Sequence, residues 1–116
     1  MTRGEIWWAD FGMPFGSEPG FTRPVLIVQD NDFNKSNIKT IVIVPFSTNL
    51  LLAEAPGNVL FEKEETGLPK DSVLVTSQLH AIDRERLSGK ISEIRQRRFG
   101  EIEAGIMLVL GVRKSS

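Results

Sequence analysis

Apolar residues come in short β-branched or aromatic runs as far as Ile94 and at helical spacing beyond it. Glu5–Asp10 is aromatic and bounded by Gly4 and Gly12, which predicts a first strand with Ile6 and Trp8 on one face and Trp7 on the other. Pro24–Gln29 is a continuous apolar strand, and Thr40–Phe46 is a strongly β-branched one, ended by Pro45 and the turn formers Ser47, Thr48 and Asn49. Asn58–Glu62, Ser72–Thr76 and Lys90–Ile94 predict shorter strands, about six in all, and Gln78–Asp83 a short extension. The polar segment 30–37 predicts one helical turn around Phe33, and Pro56, Gly57 and the segment 66–71 predict loops and turns.

From Gln96 the period changes. Phe99, Ile102, Ile106, Val109 and Leu110 fall on one face of an amphipathic C-terminal helix. Gly100 and Gly105 weaken that helix by roughly 1 kcal/mol each relative to Ala. Met107 and Leu108 broaden its apolar arc, and excess apolar surface on a terminal helix is commonly covered by a partner. The pattern predicts a mainly β chain with a C-terminal helix, folded as a small antiparallel barrel or strongly bent sheet. It forms a single domain over residues 1–116.

The longest break in the pattern is the Gly/Pro-rich loop of residues 11–22, and loops of that length are often functional. Gly16 and Gly20 permit positive φ, and Pro19 cannot continue an inner strand. Glu18 and Arg23 therefore lie on or beside a loop held by a stiff strand. A surface hairpin with an exposed Glu–Arg pair is the plainer alternative.

Composition narrows the class. The 116 residues are 41% apolar and 25% charged with no cysteine, as in an ordinary globular domain without disulfides or thiolate metal sites. No run approaches the ~20 apolar residues that span a bilayer, and the N-terminus lacks a signal-peptide core, so a cytosolic protein is expected. A net charge of −1 argues against coating nucleic acid by bulk electrostatics. The basic run Arg95–Arg98 reads as a solvated helix start.

Familiar catalytic signatures are absent: no GxxxxGK[ST], HExxH, GxSxG or EF-hand loop. His80 is the one histidine; a Ser–His hydrolase would have to use it with Asp83, and a structural role fits it better. Two strand ends remain. If the second and third strands pair antiparallel, Arg23 and Ser47 share one end of the sheet. An Arg fork beside the hydroxyls of Ser47 and Thr48 and the amide of Asn49 suits a phosphate.

These residues resemble a known family. Arg3–Trp7, Gly16–Gly20 and Arg23–Val28 look like the opening of the MazF/PemK (Kid) toxins of bacterial toxin–antitoxin pairs. Val44–Asn49 is similar to that family's VP-x-T-[ST] strand end, and Ser77–Asp83 to its [DE]-Q-[IV]-[RK]-x-[IV] segment. The resemblance implies a small SH3-like β-barrel that works as a homodimer. It implies a metal-independent, sequence-specific endoribonuclease acting on single-stranded RNA and silenced by a MazE-like antitoxin with an acidic C-terminal segment. It places catalysis on Arg23 and Ser47, with Thr48 as a second hydroxyl and Glu18 as proton acceptor or orienter of Arg23. Substrate would meet Gly16, Ser17, Phe15 and Phe21 on the loop, Asn49 after the third strand, and Ser77, Gln78 and His80 further on. Ser47 stands where the family has Thr, Ser77 where it has an acid and His80 where it has a base. A CcdB-like gyrase binder, an inactive regulator and a small interaction module are the alternatives within the same fold.

Overall fold

Two neighbouring strands, β2 (Thr22–Ile27) and β3 (Thr40–Ser47), set the register of the sheet. They pair antiparallel with Val25 opposite Pro45, Leu26 opposite Val44 and Ile27 opposite Ile43. Successive residues of both strands are buried, because each face carries its own apolar cluster. Leu26, Val44 and Phe46 join Ile6, Val59, Phe61, Leu74, Phe99 and Ile102 in one. Val25, Ile27, Ile41 and Ile43 join Ala9, Ile82 and Leu87 in the other.

The computed structural model describes residues 1–13, 16–17 and 21–112. Around the central pair lie β1 (Glu5–Asp10), β4 (Val59–Phe61), β5 (Ser72–Leu74), β6 (His80–Asp83) and β7 (Leu87–Glu93). Among the described residues three α-helices punctuate them: α1 (Asn31–Asn34), α2 (Lys63–Thr66) and the terminal α3 (Phe99–Leu110). The strand order is β4-β5-β3-β2-β1-β7, with β6 also pairing β3, and every pairing is antiparallel. The sheet bends around the first cluster into a barrel-like body with the C-terminal helix against it, the expected fold class. Among the described residues β4 and β7 do not pair, so the barrel is open at that seam. Ser92 Oγ donates to the Thr66 carbonyl across the opening.

Several local expectations change. Pro45 does not end its strand; β3 runs on to Ser47. It sits where the free edge of β3 passes from β6 (residues 40–43) to β5 (residues 46–47), and its carbonyl accepts from Val75 N–H at 3.0 Å. Proline has no N–H to return that bond, and the Val75 carbonyl instead accepts from Gln78 N–H at 3.0 Å in the turn after β5. Ile6 and Trp8 do share a face, yet Trp8 is 36% exposed while Ala9 is buried. The register of β1 against β7 slips twice, between Ile6 and Trp7 and between Trp8 and Ala9, which bends this edge away from a regular ladder.

Gly105 is a packing residue rather than a weak point. A Cβ there would lie 2.1 Å from the Gly57 carbonyl oxygen, so α3 touches the loop before β4 through bare backbone. Phe99 and Ile102 are buried as expected, whereas Val109, Leu110 and Leu108 remain exposed on the outer half of the helix. Arg98 corrects the solvated reading of the basic run. Its guanidinium lies 4.1 Å over the Phe61 ring, donates to the Leu60 carbonyl at 2.8 Å and pairs with Glu65 and Glu101. It clasps the open seam, and Arg95 and Arg97 beside it are exposed.

Candidate active site

The β2–β3 register, continued outward from Val25 opposite Pro45, sets Arg23 opposite Ser47. Arg23 shares parity with Val25 and Ile27, and Ser47 with Ile43, so both belong to the face of the second cluster. Both are half-buried and line one cavity of about 330 Å³, with Phe21, Thr48 and Ser72 around it. The expected meeting of an Arg fork with hydroxyls at one end of the sheet is what the fold produces.

The turn after β3 is built by its own side chains. Ser47 Oγ accepts from the Asn49 N–H at 3.1 Å, which leaves its O–H to donate outward. Asn49 caps the 3₁₀ turn Leu50–Glu54, its side-chain oxygen accepting from Leu51 N–H at 3.2 Å. Its carboxamide oxygen is therefore committed to the turn. Thr48 is exposed and points no bond inward among the described residues. Ser72, which sequence reasoning missed, is buried with its hydroxyl donating to the Lys70 carbonyl at 3.0 Å. It is carried to the cavity by β5, and no local pattern signals that.

The β1–β2 loop is pinched at its mouth. Phe11 N–H donates to the Phe21 carbonyl at 2.8 Å, and Phe21 N–H donates back to the Gly12 carbonyl. Phe21 holds φ +59, a left-handed conformation that is costly for an aromatic residue. Its ring is 61% exposed at the lip of the Arg23–Ser47 cavity, where a flat apolar surface can receive a base. Glu18 and Phe15 lie outside the described residues.

The remaining expected substrate residues gather elsewhere on the same face. Gly16, Ser17, Ser77, Gln78 and His80 line an open cleft of about 930 Å³, with Phe11 as its aromatic wall. β6 brings His80 opposite Ile43 of β3. Ser47 lies four positions beyond Ile43 along β3, roughly 13 Å of extended chain. The expected site residues among those described thus line two separate cavities, with Phe21 at one and Gly16 and Ser17 at the other.

Further along this face, Glu5 accepts from Thr2 N–H (2.9 Å), the Trp7 indole (3.0 Å) and the Lys90 ammonium (3.1 Å). Burial pushes the Glu5 carboxyl up, but the Trp7, Thr2 and Lys90 donors together outweigh it and hold the group below the ordinary value of 4.5. Hydrogen bonding and attraction from Glu5 raise Lys90. Among the described residues no group of three or more His, Asp or Glu side chains is arranged to hold a metal ion. No described helix is long and apolar enough to cross a membrane.

A bent antiparallel sheet with one terminal helix, an Arg–hydroxyl pair at a strand end and an aromatic-walled cleft beside it together define a small, mainly β domain. The model of the PemK-like, MazF-like toxins of type II toxin–antitoxin systems matches residues 2–110, and the chain belongs to that family. It is 34% identical over 110 residues to endoribonuclease MazF6 of Mycobacterium tuberculosis and endoribonuclease MazF2 of Mycobacterium bovis, covering 95% of this chain and 96% of each relative. Its fold is similar to that of a mycobacterial endoribonuclease solved in complex with its cognate antitoxin, with TM-score 0.80, 18% identity and 99% of both chains covered. MazF from Deinococcus radiodurans superposes with TM-score 0.76 at 20% identity over 96% of both chains.

Proposed function

We propose that this toxin is a sequence-specific endoribonuclease that cuts single-stranded RNA in the cytoplasm, and that Arg23 and Ser47 carry the chemistry. The observation behind this reading is the juxtaposition of Arg23 and Ser47 across the β2–β3 pair, lining one cavity. Family membership and the names of the curated relatives support the same activity.

In this mechanism the ribose 2′-oxygen attacks the adjacent phosphorus and loses its proton. The P–O5′ bond breaks, and the 5′-oxygen leaves with a proton. The products are a 2′,3′-cyclic phosphate and a 5′-hydroxyl. Alignment of the attack and stabilisation of charge on the phosphorane-like transition state are the protein's tasks. Arg23 supplies two forked N–H donors to the equatorial oxygens and Ser47 O–H a third. A guanidinium with a pKa above ~12 is a poor base near neutral pH, so Arg23 acts as an electrostatic clamp and Glu18 takes the 2′-proton or orients Arg23. Thr48 offers a second hydroxyl. Flanking bases stack on Phe21 and Phe15 and run past Gly16, Ser17 and Asn49 toward Ser77, Gln78 and His80.

The working unit is a homodimer, which covers apolar surface left open on the single chain. A cognate MazE-like antitoxin inhibits it by laying an acidic C-terminal segment over the RNA-binding face, where its carboxylates compete for Arg23. Cleavage needs no metal and persists in EDTA. A single 2′-deoxynucleotide placed 5′ to the scissile phosphate tests the chemistry: it abolishes that cut and leaves other sites unaffected. Continued cutting at the deoxy position would rule out 2′-hydroxyl attack.

A further inference from the structure

The open cleft beside the Arg23–Ser47 cavity has one side chain whose hydrogen-bonding sense is fixed by the fold. His80 Nδ1 lies 2.8 Å from the backbone carbonyl oxygen of Gln78. A carbonyl only accepts, so Nδ1 carries the proton, and in the neutral ring Nε2 is then a bare acceptor. The imidazole also has an aromatic neighbour. Phe11 packs against it with ring centroids 5.4 Å apart at 42°, within the range of a favourable aromatic pair. Nε2 makes no hydrogen bond among the described residues, and the half-buried ring forms part of the cleft wall.

Given the ribonuclease reading above, we infer that His80 is a specificity-determining residue: its Nε2 accepts from the exocyclic amino group of a base seated in the Phe11-walled cleft. The base belongs to a nucleotide displaced from the scissile phosphate, since His80 is opposite Ile43 and Ser47 lies four residues further along β3. A cytosine or adenine presents an amino donor on its pairing edge, whereas uracil and guanine present a carbonyl oxygen at the corresponding position. That oxygen would set its lone pairs against those of Nε2, leaving both acceptors unsatisfied. An Arg or Lys at this position would donate and favour the carbonyl bases, so the histidine inverts the preference at this subsite.

The test uses the full chain and short RNA substrates containing its mapped cut site. At each position flanking the cut, cytidine is compared with uridine, and adenosine with purine riboside, which lacks only the amino group. The expected result is one position at which the amino group speeds cleavage roughly 2- to 12-fold, the worth of one neutral hydrogen bond. His80→Phe keeps the ring against Phe11 and removes the acceptor; it should erase that preference while uridine and purine substrates are still cut. His80→Gln, which can place a carbonyl oxygen near the Nε2 position, should restore part of it. An unchanged preference in His80→Phe, or no amino preference in a wild-type protein that cuts RNA, would overturn the role of His80 alone. Failure of the wild type to cut any RNA would overturn the ribonuclease reading instead.

Discussion

Replacing Gly105 with alanine sets two opposing effects against each other at one atom. On propensity alone the added methyl group should stabilise α3 by about 1 kcal/mol. The fold leaves no space for it: the new Cβ would sit 2.1 Å from the Gly57 oxygen and 3.2 Å from Thr76 Cγ2. The carbonyl must therefore move by more than an ångström, or the helix must lift. The Gly57 oxygen is also the acceptor for Thr76 Oγ1 at 2.8 Å, and Thr76 is fully buried. Overpacking of this kind costs about 1–3 kcal/mol, and loss of the Thr76 bond adds about 1 kcal/mol. Offset by helix propensity, Gly105→Ala should be about 2 kcal/mol less stable than wild type. Gly100 is the internal control. It lies on the same helix, is exposed and has nothing within 4 Å of a built Cβ. Gly100→Ala should gain up to about 1 kcal/mol. Urea unfolding at fixed protein concentration, with midpoints compared at unchanged m, reads both. If Gly105→Ala matched or exceeded wild-type stability, the bare-backbone contact between α3 and the Gly57 loop would be wrong.

Three further outcomes follow from individual contacts. Arg98→Met removes the guanidinium clasp over Phe61, Leu60 and Glu65 and should cost about 2 kcal/mol in the same unfolding assay. A value within experimental error of wild type would mean the seam does not depend on it. Burial pushes Glu65 up, but the Glu62 N–H and Arg98 outweigh it and hold its carboxyl low, as their own donors do for Glu5. Groups with depressed folded values contribute stability that is fully present above the ordinary 4.5 and is lost as pH falls through the lower folded values. Acid unfolding of a Glu5→Gln, Glu65→Gln double variant should therefore show a shallower loss of stability below that value, and an identical acid profile would contradict the assignment. Glu18→Gln should slow cleavage and alter the pH–rate profile; retention of wild-type rate and profile would remove Glu18 as the base.

The strands were legible because β-branched runs have few other uses. The core of β3 follows directly from one and Glu5–Asp10 from its aromatic run, and the pairing of β2 with β3 placed Arg23 and Ser47 at one end of the sheet. Local pattern said less where long-range packing decides. Pro45 reads as a strand breaker until the change of partner from β6 to β5 is known. Gly105 reads as a helix defect until Gly57 is brought against it. Arg98 reads as solvent-exposed until Phe61 and Glu65 arrive beneath and beside it from distant positions. The short helix α2 has no apolar periodicity at all; Glu65 accepting from the Glu62 N–H at 3.0 Å starts it, and Gly67 at φ +73 ends it. Of the site, the Arg–hydroxyl pair follows from one hairpin register. The cleft around His80 does not, because β6 reaches β3 across a long intervening segment.

The most direct measurement is single-turnover cleavage of a long single-stranded RNA with every new 5′ end mapped, comparing wild type with Arg23→Ala and Ser47→Ala. The account predicts discrete cuts by wild type, slowed about 10²- to 10³-fold by loss of a donor aimed at developing charge, in variants that unfold at wild-type urea concentrations. Arg23→Ala cutting the same sites within a few-fold of the wild-type rate would contradict it.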